Sequence, residues 1–273
     1  MKDRIYQTYH SSFSPAVISA LREIDDLKRH LDSLSPLTSD AGIQAGLKSY
    51  DEAFLVRMTY HSNAIEGSTL SLADTAAALD GELVKNATAQ EIYAAKGVFD
   101  GFMYARKMLG EGHRLSEELI KEIHERTALD IDLRLRGIYR TTQVYIKGSQ
   151  TVPVAAHKLY TLMPDLVFAH NDSDIHPLLK ASIFHVLFEG IHPFADGNGR
   201  TGRNILNYML MQAGYPPVAI RHDKTSGYIE ALEEWQIEND SDKCLTLVAS
   251  LARSEIEARI SLIETATNFE ELR

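Results

Sequence analysis

A single cysteine, Cys244, occurs in 273 residues. No intramolecular disulfide can form, and a cysteine-rich zinc module is excluded. Only 8 prolines and 16 glycines interrupt the chain, which leaves long uninterrupted segments of the kind helices need. No apolar run reaches the length of a membrane span. The first residues, Met1-Lys2-Asp3-Arg4-Ile5-Tyr6, lack the apolar centre of a signal peptide. Basic residues are in the minority, 28 Lys and Arg against 38 Asp and Glu, for a net charge of −10. A broad basic face for nucleic acid is therefore not expected, nor is a membrane partner. A negative total still permits a small basic pocket for a phosphate ligand. These absences, with 44% hydrophobic and 24% charged residues, describe a globular chain expected in the cytoplasm.

What is present is mostly helical periodicity. Ser14-Pro15 reads as an N-cap followed by proline in the first turn, opening a helix over 15–34 with Val17, Leu21, Ile24, Leu27 and Leu31 on one stripe. A second helix is expected over 44–65, ended by Glu66-Gly67. Thr88-Ala89-Gln90-Glu91 is a capping box that opens a helix to about residue 109. Further helices are expected over 115–128, from 159, and over 177–189, 201–213, 228–238 and 241–265. The exception is 140–153, where Val144, Tyr145 and Ile146 face Thr151-Val152 across Lys147–Gln150. This pattern predicts a short β-hairpin. The fold class expected is mainly α with one small hairpin and no βαβ alternation.

The chemistry concentrates in His192-Pro193-Phe194-Ala195-Asp196-Gly197-Asn198-Gly199-Arg200-Thr201-Gly202-Arg203, between two helical patterns. Gly197, Asn198 and Gly199 can turn successive N–H groups inward as an anion nest. The helix that follows points its positive end at the same place. Arg200 and Arg203 reach one side of that helix start, and guanidinium groups match polyphosphate oxygens. Asp196 beside a phosphate nest makes electrostatic sense if a divalent cation bridges the two. His192 titrates near neutrality and suits a general base. Taken singly, a Gly-Asn-Gly is a turn, a His before Pro is a loop residue, and two Arg are a solvated face. The combination points instead to an Mg-nucleotide site.

Other motif readings fit less well. Gly197-x-Gly199-x-x-Gly202 matches the dinucleotide-binding fingerprint, with Asp223 downstream, but that motif must follow a strand. Here Leu178, Ile183, Val186, Leu187 and Ile191 precede it at helical spacing. No Gly-Lys-Ser/Thr supports a P-loop, and no His-Glu-x-x-His supports a zinc hydrolase. His185 and His192 share a face only if the helix runs through Gly190 and Pro193.

The segment 192–203 resembles the signature of the Fic family, His-Pro-Phe-x-Asp/Glu-Gly-Asn-Gly-Arg-x-x-Arg, at every defined position. The resemblance implies a Fic (Fido) helical bundle that transfers AMP from Mg-ATP to a Ser, Thr or Tyr hydroxyl of a protein target. By that resemblance His192 deprotonates the target, Phe194 anchors the loop, and Asp196 holds Mg²⁺. Gly197, Asn198 and Gly199 cradle the phosphates, Arg200 binds them, and Arg203 reaches the γ-phosphate. Arg136-Gly137-x-Tyr139-Arg140 and the hairpin of Val144, Tyr145 and Ile146 look like the family's target-docking flap. Asn207 and Tyr228 resemble positions lining the nucleoside pocket.

Ser62-Asn63-Ala64-Ile65-Glu66-Gly67 is similar to the family's inhibitory motif, Ser/Thr-x-x-x-Glu-Gly/Asn. It implies that Glu66 pairs with Arg203 in place of the γ-phosphate, with Ser62 one turn earlier orienting Glu66. The expected organisation is an N-terminal helical region, 1–112, containing an inhibitory helix at about 44–66, a catalytic core, 113–250, and a C-terminal helix, 251–273. Removal of AMP, or transfer from another phosphate donor, is the alternative reading of the same site. A homodimer is open to such a chain, through Trp235 or the stripe Leu245, Val248, Leu251, Ile256 and Ile260, unless these residues serve the core.

Overall fold

The computed structural model describes residues 2–146, 151–238 and 240–271. Among them are eleven α-helices: α1 (Lys2–Tyr9), α2 (Pro15–Ser33), α3 (Ala41–Ile65), α4 (Leu72–Asp80), α5 (Ala89–Gly110), α6 (Glu117–Thr127), α7 (Leu159–Asp172), α8 (Pro177–Ile191), α9 (Asn198–Gln212), α10 (Thr225–Glu238) and α11 (Asp242–Glu271).

The capping signals in the sequence do what their chemistry requires. Ser14 Oγ accepts the Val17 N–H at the start of α2, and Thr88 and Glu91 satisfy each other's backbone N–H groups at the start of α5. Two helices were not expected. The short α1 is polar in composition but buries Ile5, Thr8 and Tyr9 on one face. The α4 helix opens with a second capping box, Ser71 with Asp74.

The centre of the molecule is the antiparallel pair α8 and α9. Residues 181–191 of α8 are buried all round, so this part of the helix has no solvent stripe, as expected where neighbours enclose it. The α5 and α6 helices cover α9, and α7, α10 and α11 cover α8. The α3 helix lies outside, against α5 and α11, with its C-terminal half reaching α9. It is anchored by Phe54 and Met58 packing on Val98 and Phe102 of α5, a cluster separate from the main core. The main core is one cluster drawing on residues from Ile5 to Ile260. Trp235, Leu245, Val248, Ile256 and Ile260 belong to it, so those side chains serve packing within the chain. No helix among the described residues is long and apolar enough to cross a membrane.

Among the described residues the expected hairpin shows no strand ladder. Val144, Tyr145, Ile146, Thr151 and Val152 have no strand assignment, and 147–150 lie outside the described residues. Side-chain hydrogen bonds tie the two sides of this segment together. Gln143 Nε2 donates to the Pro153 carbonyl at 2.9 Å, and Arg140 donates to the Thr142 and Val154 carbonyls. Pro153 has no N–H to give to a ladder.

Candidate active site

The loop joining α8 to α9 carries residues 192–197. Its entry is conformationally unusual: His192 has φ +55°, in the left-handed region that a non-glycine residue enters at a cost. Its N–H caps α8 through the Phe188 carbonyl at 2.8 Å. Arg140 Nε accounts for the His192 carbonyl, also at 2.8 Å. His192 Nδ1 lies 3.3 Å from the Glu189 carbonyl, the arrangement that puts the proton on Nδ1 and leaves Nε2 as an acceptor. Burial lowers the His192 pKa below the usual histidine value, opposed by that backbone contact. The Asn198 side chain is spent inside the loop, accepting from Phe194 N–H at 2.8 Å and donating to Phe194 carbonyl at 2.9 Å. This side chain therefore braces the loop rather than facing outward.

A residue with no sequence signal, His124, fixes this loop from below. Its ring stacks on Phe194 with centroids 3.7 Å apart. Nε2–H donates to the Asp196 carbonyl at 2.9 Å, and Nδ1 accepts the Gly137 N–H at 2.8 Å. Only the neutral ring can do both. Burial pushes its pKa down to about 4. Between that value and 6.5 the unfolded chain holds a proton that the native ring refuses, so stability falls as pH drops through this window. The contribution is about 3 kcal/mol when complete. His170 and His185, both pushed to about 3 by burial, add to the same slope. Urea unfolding at pH 7 and pH 5 should show the loss, and His124→Gln should show less of it while being weaker at pH 7.

The C-terminal end of α3 meets this loop. Glu66 is the cap residue, followed by Gly67 at φ +94°. Ser68 N–H returns to the Asn63 carbonyl and Gly67 N–H to the Ala64 carbonyl, a Schellman ending that needs glycine at that φ. This turn throws the Glu66 carboxylate across to α9. Arg203 Nη2 donates to Glu66 Oε1 at 2.6 Å. A Cβ placed on Gly199 would collide with the same oxygen, so the carboxylate lies directly over the first turn of α9. Burial alone would raise the Glu66 pKa, but Arg203, with smaller help from Arg200 and His192, holds it below the usual carboxylate range. Ser62 does not orient Glu66 as the motif suggested. It grips Arg203 instead, its Oγ accepting from Nε and its carbonyl from Nη2, both at 2.9 Å. Arg203 is 6% exposed and Glu66 42%, so the carboxylate is the half of this pair that can leave into water.

Two cavities open on either side of Glu66. One, about 180 Å³, is bordered by Glu66, Glu189, His192, Gly199, Arg203 and Tyr228, with Ile146 at its edge. The other, about 500 Å³ and polar, is bordered by Glu66, Asp130, Asp196 and Arg200. The Asp196 side chain is 66% exposed. Tyr228 is buried with its hydroxyl 2.8 Å from His185 Nε2. Asn207 does not border either cavity. Its amide braces the chain after α9, donating to the Val218 carbonyl and accepting its N–H. Val144 and Tyr145 border neither cavity, and Tyr145 is 79% exposed. Glu189 was missed in the sequence because it sits in an apolar helix. Burial raises its carboxyl to about 8, against the pull of Arg203.

Residues 114–210 match the Fic/DOC family. The chain is 32% identical over 226 residues to the Protein adenylyltransferase Fic of Culex quinquefasciatus, a match covering 81% of this chain and 44% of that protein. It spans less than half the length of the curated relatives it matches. Among solved structures, a Fic domain containing signaling protein from Bacteroides thetaiotaomicron superposes with a TM-score of 0.80 at 25% identity, over 89% of this chain and 97% of that one. Fic-1 from C. elegans gives a TM-score of 0.79 at 28% identity, over 92% of this chain and 74% of that one.

Proposed function

From a chain that carries a Fic/DOC-family domain at residues 114–210, we propose a protein adenylyltransferase that moves AMP from ATP to a Ser, Thr or Tyr hydroxyl of a protein target and is held off by its own Glu66. The observation that carries this reading is the Glu66 carboxylate seated over the first turn of α9 and bonded to Arg203. An anion already occupies the place where helix N–H groups and a guanidinium would receive phosphate.

In the released state each residue has a task its geometry supports. His192 Nε2, left unprotonated by the Nδ1 contact, takes the proton of the target hydroxyl. The hydroxyl oxygen forms its bond to the α-phosphorus, and the bond from that phosphorus to the pyrophosphate oxygen breaks. The N-terminal amides of α9, Arg200 and Arg203 hold the negative charge in line, which is most of what phosphoryl transfer asks of a protein. Tyr228, Ile229 and Leu232 offer the cavity wall suited to the nucleoside. Asp196, exposed beside the nest, fits Mg²⁺ held by one carboxylate together with phosphates and water. Among the described residues no cluster of three or more ligating side chains offers a protein-only metal site. When bound, Mg²⁺ would neutralise phosphate charge. In this reading α3 is the inhibitory element, 113–250 the catalytic core, and the rest of α11, from 251 to 271, a support; 272–273 lie outside the described residues.

Glu66 and His192 border the same cavity, which favours a second reading in which Glu66 orients water to remove AMP from a modified target. Incubating the Glu66→Gly variant with ATP labelled at the α or the γ position, with Mg²⁺, tests the first. Label should enter protein from the α position alone. Entry from the γ position, or from neither, would overturn it. Release of AMP from a pre-adenylylated target by the wild type would establish the second.

A further inference from the structure

Arg200 has a partner that the signature does not include. Its Nη1 donates to Asp130 Oδ1 at 2.7 Å, and the two side chains are 5% and 6% exposed. The loop carrying Asp130 is built to stand still. On either side of it, the Arg136 guanidinium donates to the Leu129 carbonyl at 2.6 Å and to the Ile131 carbonyl at 2.9 and 3.1 Å. The rest of the Arg200 guanidinium makes no hydrogen bond, only a long ion pair with Asp196. Its Nε is buried with no hydrogen-bond partner, and its Nη2 stands 3.9 Å from the exposed Asp196 carboxylate.

We propose that Asp130 is a positioning residue for Mg-nucleotide binding. Its carboxylate fixes one side of the Arg200 guanidinium, holds the contact with Asp196 long, and leaves Nη2 for phosphate. The inference rests on the function proposed above and adds a residue to it.

The charge arithmetic supports this division. Two arginines stand at the start of α9. Arg203 is paired with a carboxylate at the cavity edge, which a nucleotide can displace. Arg200 is paired with one buried on a fixed loop, which it cannot. Without Asp130 the nearest available anion for Arg200 is Asp196, and contact there would consume both the phosphate-binding cation and the carboxylate suited to the metal. A buried Arg left without a partner would also be driven toward that contact by its own desolvation. No local pattern in the sequence marks Asp130. It lies 70 positions from Arg200, in a loop with no helical or strand period.

The test is calorimetric binding of a non-reacting probe, α,β-methylene-ATP with Mg²⁺, to four full-length proteins: the Glu66→Gly parent, and the parent with Asp130→Asn, Arg200→Gln, or both. Asp130→Asn should weaken binding about tenfold, equivalent to about 1.4 kcal/mol. It should add nothing further in the Arg200→Gln background. Unchanged binding in the first comparison, or an equal loss in both backgrounds, overturns the inference; the latter would mean that Asp130 acts directly. If Asp130→Asn does not fold, Asp130→Glu keeps the charge and moves it by one methylene. It should bind several-fold more weakly than the parent, and equal binding overturns the inference. A parent that binds no nucleotide overturns the functional reading instead, and this inference with it.

Discussion

Replacing Glu66 by glycine should raise transfer of label from α-labelled ATP to protein by about 10- to 100-fold. The size follows from the contact removed. A hydrogen bond between charged groups contributes about 1.5–3 kcal/mol net, and in the proposed function a nucleotide must displace this one before its terminal phosphate can meet Arg203. The structure gives the variant a specific advantage over a random loosening of α3. Arg203 keeps both of its bonds to Ser62 when Glu66 is gone, so its guanidinium remains aimed at the vacated position. The end of α3 also survives, because Gly67, Ser68, Ala64 and Asn63 make its terminal hydrogen bonds through backbone alone. Thermal unfolding of the variant should therefore stay close to wild type while activity rises. Ser62→Ala should do the reverse in part: it frees Arg203 Nε and activates little. An E66G protein that binds ATP with the affinity of wild type would sink the inhibitory reading.

The parts of this site that were readable in sequence are those whose chemistry is local. His192 to Arg203 lie in one continuous segment, so the Gly-Asn-Gly turn, the helix start, the histidine and the guanidinium groups announce themselves together. Ser14 and Thr88 declared their helices through bonds of three residues' span. Glu66 was readable as part of a motif, and its bond to Arg203 as the motif's consequence. What escaped depends on contacts across long separations. His124 reaches Asp196, and Asp130 reaches Arg200, from a different helix and the loop after it. Glu189 is an acid in a helix apolar on every side, where no period distinguishes a functional face. The hairpin failed for another reason. The β-prone run Val144-Tyr145-Ile146 is a statement about side chains, but a ladder needs paired backbone groups, and what is seen is Arg140 and Gln143 bonded to the carbonyls of Thr142, Pro153 and Val154 beside the expected arms. The partner expected for Ser62 is Glu66, and the group it holds is Arg203.

His192→Ala, made on the Glu66→Gly protein, should lower transfer by about 10²- to 10⁴-fold, the usual contribution of a positioned general base, while leaving nucleotide binding in place. The pH profile of the Glu66→Gly parent ties that loss to the ring. Burial lowers the His192 pKa, so the neutral ring persists to more acid pH than an exposed histidine would, and the acid limb of the rate should have its midpoint below 6.5. The alkaline limb has a different owner. Glu189 is uncharged at neutral pH, its carboxyl held up to about 8 by burial. Above that value it becomes an anion in the cavity wall, beside Arg203, and competes with phosphate for the same guanidinium. Loss of Glu66 takes one negative neighbour from Glu189 and moves this limb slightly toward neutrality, since Glu66 is among the causes that raise it. Glu189→Gln cannot ionise and keeps nearly the same shape. It should hold the rate level through pH 9 where the parent declines, and it should leave the acid limb where it was. Persistence of the alkaline decline in Glu189→Gln would remove Glu189 from the account and assign that limb to the nucleotide or the target, whereas a shift of the acid limb would show that Glu189 acts on His192 through the shared turn of α8.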